Sequence, residues 1–129
     1  MDPLQQLLEK AKGKRLIIVE DDPMSAEALK ENLGLFFPEL YHAADGETAC
    51  RLQAEVSADI IVSDLGLPKL GGVELIYALR KIDSNVPLIV ASGESSEEVK
   101  ARILDAGADR YLLKPYRMEI LQMELISLL

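Results

Sequence analysis

The stretch Leu16-Ile17-Ile18-Val19-Glu20-Asp21-Asp22-Pro23 sets an apolar run directly against three acids and a proline. An apolar run this short, β-branched and without polar alternation, is the pattern of a strand buried on both faces of a parallel sheet. The acids then mark its carboxyl end. Asp22 before Pro23 reads as a helix cap followed by proline at the first helical position, and not as a metal ligand. Further runs of the same kind occur at Ile60-Ile61-Val62, Leu88-Ile89-Val90-Ala91 and Tyr111-Leu112-Leu113, and a weaker strand is expected over Leu40 to Ala43. Between them, helical spacing predicts helices over Met24 to Phe36, about Gly46 to Glu55, and about Gly72 to Ile82. A fourth opens with the capping-box pattern Ser95-Ser96-Glu97-Glu98 and stops at Gly107, and a fifth runs from near Tyr116 to the end. Strand and helix alternate throughout. Right-handed crossovers turn that alternation into an α/β fold: an open, doubly wound parallel sheet with helices on both faces.

Composition agrees. The 129 residues make room for one domain, with 49% apolar and 28% charged residues. A chain of this size buries roughly two-thirds of its unfolded surface, so folding needs no metal or disulfide. No apolar run approaches the ~18 residues of a membrane span, and the polar start MDPLQQLLEKAKGK does not read as a signal peptide. The lone Cys50 cannot form an internal disulfide and reads as a small buried hydrophobe, so the expected location is the reducing cytoplasm. A net charge of −8, with no Trp and only two Phe, argues against direct nucleic-acid binding.

Ligands of open parallel sheets bind outside the carboxyl ends of the strands. Those ends carry Glu20-Asp21-Asp22 after the first strand, Asp64 after the third, Ser92-Gly93 after the fourth and Lys114-Pro115 after the fifth. Two carboxylates ~4 Å apart repel by about 4 kcal/mol at an effective dielectric near 20. Glu20, Asp21 and Asp64 together therefore call for a cation or a protonated carboxyl. A hard divalent ion held by one or two carboxylates, a carbonyl and waters matches Mg²⁺ chemistry. Lys114 adds a positive charge able to move between a carboxylate and an incoming phosphoryl group.

In the segments IIVEDDP, IIVSDLGLP, LIVASG and YLLKP the chain resembles the receiver domain of two-component response regulators, from Lys14 to Leu129. The resemblance implies a flavodoxin-like fold with strand order 2-1-3-4-5, residues 14–129 forming the receiver domain and 1–13 a helical extension. It implies a phosphoprotein of phosphorelay signal transduction, a switch and not a multiple-turnover enzyme. Asp64 would be the nucleophile that takes a phosphoryl group from a sensor histidine kinase or phosphotransfer protein. Asp21 resembles the direct Mg²⁺ ligand, Glu20 its water-mediated companion, and the Gly66 carbonyl a third ligand beside Asp64. Ser92 and Lys114 would bind phosphoryl oxygens, as in-line phosphoryl transfer requires. The resemblance also implies a cis peptide at Lys114-Pro115. Tyr111 stands either as the family's switch aromatic, moving with Ser92 to remodel the face of the fourth helix, fifth strand and fifth helix, or as an ordinary half-buried tyrosine. Gly66, where many members carry a larger side chain, would leave the phosphoryl group open to water or to a partner's residue, and Glu94 stands near enough in sequence to influence the same hydrolysis.

The remaining features divide between structure and partners. His42, placed past the second strand, is expected to take no catalytic or metal role. Asp2-Pro3-Leu4 starts an extra helix with a Leu4, Leu7, Leu8, Ala11 stripe, ended by Gly13. The last helix carries more apolar residues than one face can bury, which implies either a homodimer through the switch face or contact with the first helix. Three rivals share parts of the pattern. A flavin-binding protein would need a Ser/Thr/Gly-rich phosphate loop where Glu-Asp-Asp-Pro stands. A phosphohydrolase of the haloacid-dehalogenase type would need an aspartate at Gly66. A degenerate receiver acting as a non-phosphorylated scaffold would not need the intact acids, hydroxyl and lysine.

Overall fold

The computed structural model describes residues 1–64 and 70–129, with backbone alone for 70–72. Its elements run α1 (Pro3–Ala11), β1 (Arg15–Val19), α2 (Pro23–Leu33), β2 (Glu39–Ala43), α3 (Gly46–Val56), β3 (Ile60–Ser63), α4 (Leu70–Ile82), β4 (Leu88–Ser92), α5 (Glu97–Ala106), β5 (Arg110–Leu113) and α6 (Met118–Leu128). The sheet order is β2-β1-β3-β4-β5, with every neighbouring pair parallel. This is the doubly wound, flavodoxin-like arrangement with order 2-1-3-4-5.

The unalternating strand runs have a direct cause. In β1, Ile17 and Val19 enter a core with Ala49, Leu75, Leu79 and Ile103 of α3, α4 and α5. Leu16 and Ile18 enter the opposite core with Leu29, Leu33, Leu121 and Leu125 of α2 and α6. Successive side chains of a strand point to opposite faces, and here both faces are covered.

Local signals position the ends. The Asp22 side chain accepts from the Ser25 N–H at 2.9 Å, capping α2 as its sequence implies. The expected Met24 to Phe36 helix stops earlier, at Leu33, where the Gly34 N–H closes on the Lys30 carbonyl and the chain turns to bury Phe36 and Phe37. The capping box expected at α5 does not form. Ser96 is the cap, so the third helical residue is Val99, which has no side-chain acceptor to return. The reciprocal box occurs instead at α1, between Asp2 and Gln5.

At the amino ends of the strands, Arg80 of α4 donates to the carbonyls of Val86 and Gly107 at 2.6 and 2.8 Å and pairs with Asp109 at 3.1 Å. Gly107 ends α5 at φ +125°, where a Cβ would also stand 3.1 Å from the Arg80 side chain. Lys114-Pro115 is cis.

The first helix docks on the last. Leu7 and Ala11 are fully buried, and the Lys10 ammonium donates to the Ile126 carbonyl at 3.1 Å. Of the two covers considered for the apolar surface of α6, the helix contact is formed, while Ile120 and Met123 stay about half exposed. Among the described residues, no helix is long and apolar enough to cross a membrane.

Candidate functional site

Register brings the strand ends level. Val19 of β1 lies beside Ser63 of β3, so the next residues, Glu20 and Asp64, leave adjacent strands at the same height. The main chain holds them there: the Asp64 N–H donates to Val19 at 2.6 Å and the Glu20 N–H to Ala43 at 2.9 Å. Ser92 closes β4 opposite Leu113 of β5, and the Lys114 N–H donates to the Ser92 carbonyl at 2.8 Å. Parallel strands all point one way, so four separated stretches of sequence deliver their polar residues to a single rim.

Asp64 is 5% exposed and its two oxygens have different partners. The Lys114 ammonium pairs with Oδ1. The Tyr116 hydroxyl donates to Oδ2 at 3.1 Å. Burial, then the Asp64 charge, pushes the Tyr116 phenol well above its ordinary pKa, so it remains a donor. A cleft of about 500 Å³ leads to this carboxylate, lined by Ser25, Ala28, Leu29, Lys114 and Tyr116. Sequence reasoning passed over Tyr116, treating it only as the start of the last helix. Its one signal was its place two residues beyond Lys114.

Glu20 is 2% exposed. Its Oε2 accepts from the Asp22 N–H at 3.0 Å, whereas its buried Oε1 has no hydrogen-bond partner among the described residues. Burial pushes this carboxyl up to about 7, with the Asp22 N–H opposing and the Asp64 charge reinforcing the rise. Asp21 is exposed beside it. The hydroxyl and N–H of Ser25 hold the Asp22 carboxyl below its ordinary value, in keeping with its capping role.

Ser92 is 3% exposed, and its Oγ accepts from the Glu94 N–H at 3.2 Å. Tyr111 is half-buried and its hydroxyl donates to the Glu94 carbonyl, so it faces the loop after β4 and not the acid rim. Gly66 lies outside the described residues. His42 sits inside β2, not past it, and its ring Nε2 bonds the Glu20 carbonyl at 2.8 Å. Because a carbonyl only accepts, that nitrogen carries the proton. The histidine therefore braces the main chain behind the acid rim.

The rim suits a hard divalent cation. A buried carboxylate oxygen without a partner, beside two further carboxylates, is an unfilled acceptor set. Among the described residues, no group of three or more His, Cys, Asp or Glu side chains is placed to hold a metal ion by itself. Magnesium does not require one, because it keeps several waters and takes only one or two carboxylates.

A doubly wound sheet with paired acids, a buried aspartate, a hydroxyl and a lysine on its carboxyl edge defines a receiver-type signalling module. Residues 16–126 match the model of the response regulator receiver domain, and the chain belongs to this family. It is 40% identical over 102 residues to the transcriptional regulatory protein PrrA of Mycobacterium tuberculosis, covering 79% of this chain and 44% of that protein. The chain thus spans less than half the length of this relative. The receiver domain of the Francisella response regulator 1452 superposes with a TM-score of 0.80 at 31% identity, covering 90% of this chain and 96% of that one. The receiver domain of a Pseudomonas aeruginosa sensor histidine kinase superposes at 0.73 and 29% identity, covering 89% and 96% respectively, and was solved with magnesium in its active-site cleft.

Proposed function

We propose that this receiver accepts a phosphoryl group on Asp64 from a phosphohistidine of a sensor histidine kinase or phosphotransfer protein, in a Mg²⁺-dependent reaction. One observation carries the reading: a nearly buried carboxylate at the base of an open cleft, paired with the ammonium of Lys114 and adjoining Glu20. Family membership and the magnesium in the Pseudomonas neighbour support it.

The residues divide the work. An Asp64 oxygen forms the O–P bond as the donor's P–N bond breaks, and the electron pair leaves on the imidazole. Lys114, released from Oδ1, pairs with one phosphoryl oxygen, and the Ser92 hydroxyl turns to donate to another. Glu20, Asp21, Asp64 and the Gly66 carbonyl would hold Mg²⁺, which when bound neutralises charge on the transferring group. Each event modifies Asp64 itself, so the domain acts as a switch and not as a multiple-turnover enzyme. Tyr111 then leaves the Glu94 carbonyl and rotates inward behind Ser92, reshaping the α5–β5–α6 face that addresses an output domain, a partner or a second copy.

Incubation with acetyl phosphate and Mg²⁺, read by intact mass, tests the proposal. One added phosphoryl group, absent in Asp64→Asn, is expected. No mass gain in the wild type would return the scaffold reading.

A further inference from the structure

We infer that Tyr116 is a positioning residue that holds Asp64 in its unphosphorylated form and biases the switch toward that state. The inference rests on Asp64 being the phosphoacceptor. Its basis is the hydroxyl of Tyr116, 3.1 Å from Oδ2, on the oxygen that Lys114 does not engage. The ring is anchored: it packs against the core formed by α2, α6 and one face of the sheet. The hydroxyl is therefore delivered to the carboxylate by a fixed body and not by a mobile surface side chain.

The two states of Asp64 differ as acceptors. Before transfer, Oδ2 belongs to a carboxylate carrying a full negative charge. After transfer, one oxygen forms the O–P bond and the other becomes the carbonyl of a neutral acyl linkage. The donor's P–O or P–N bond breaks with its electron pair, and the Tyr116 proton stays on Tyr116 throughout. A hydrogen bond to a charged acceptor is roughly twice as strong as one to a neutral acceptor. Tyr116 therefore stabilises the starting carboxylate more than the product. It slows attack, which spends that charge, and assists hydrolysis, in which the charge returns to the leaving carboxylate. Lys114 does not share this bias, because it can follow the charge onto the phosphoryl group.

Tyr116→Phe removes the hydroxyl and keeps the ring. At a fixed concentration of acetyl phosphate with Mg²⁺, the ratio of phosphorylated to unphosphorylated protein is expected to rise about fivefold. Infrared difference spectra with carboxyl-labelled aspartate should show the Asp64 stretch, identified by its absence in Asp64→Asn, shifting between wild type and Tyr116→Phe. A purely packing role would leave that band in place. Incorporation of 3-fluorotyrosine at position 116, a stronger donor of nearly the same shape, should lower the ratio, and it serves if the phenylalanine variant folds poorly. A ratio that is unchanged or lower in Tyr116→Phe overturns the inference while leaving Asp64 as acceptor. Absence of label from both proteins overturns the acceptor reading and the inference together.

Discussion

Replacing Glu20 with glutamine should stabilise the protein in the absence of divalent cations, in a manner that depends on pH. The folded carboxyl titrates at about 7 and the unfolded one near 4.5. Between those values the folded state holds a proton that the unfolded state has released, so stability falls as pH rises and levels off above about 7. A displacement of this size, at about 1.36 kcal/mol per pH unit, amounts to roughly 3 kcal/mol by pH 7.5. Glutamine cannot ionise, can still accept the Asp22 N–H, and turns the unpartnered Oε1 position into a donor facing negative charge. Allowing for local relaxation, Glu20→Gln should gain about 2 kcal/mol at pH 7.5 and less than about 1 at pH 5. Urea unfolding in EDTA at the two pH values measures both differences. Added Mg²⁺ should stabilise the wild type more than the variant. A variant less stable than the wild type at pH 7.5, or a gain equal at both pH values, would refute the assignment of Glu20 as a strained, buried acid.

Other perturbations test the frame around the rim. Arg80→Ala should cost roughly 3 kcal/mol in urea unfolding, because the carbonyls of Val86 and Gly107 and the Asp109 carboxylate lose a shared charged donor. Gly107→Ala should cost at least about 1 kcal/mol, since φ +125° disfavours a Cβ and Arg80 occupies its space. Leu7→Ala should lower stability by about 3 kcal/mol, as for other fully buried leucines. Phosphoryl uptake in that variant should remain at the wild-type rate, because α1 packs on α6 and not on the rim.

The architecture was legible because its determinants are local. β-Branched runs without alternation can only be buried on both faces, and the two cores divide β1 residue by residue in that way. The acids were legible as a group because parallel strands deliver all their carboxyl ends to one edge. What escaped reading depends on chain reversal and competition between neighbours. Tyr116 reaches Asp64 only because the chain turns back between β5 and α6, and nothing in Lys-Pro-Tyr specifies where a phenol ends up. The strand expected over Leu40 to Ala43 already spans His42; what its sequence does not show is that the ring reaches across to the Glu20 carbonyl. Met24 to Phe36 kept its helical spacing past Leu33, yet burial of two phenylalanines outweighed the last turn. The box expected over Ser95 to Glu98 is lost because Ser96 takes the cap, which puts Val99 at the third helical position.

The proposed phosphoacceptor is Asp64 and no other side chain. Reduction of the phosphorylated protein with borohydride converts an aspartyl phosphate to homoserine, which peptide mass spectrometry locates. Homoserine at position 64 alone, formed only when phosphodonor and Mg²⁺ are both supplied, is the predicted result. Homoserine at Asp21 or 5-hydroxynorvaline at Glu20 in its place, or phosphate that survives reduction on a serine or histidine, would contradict this.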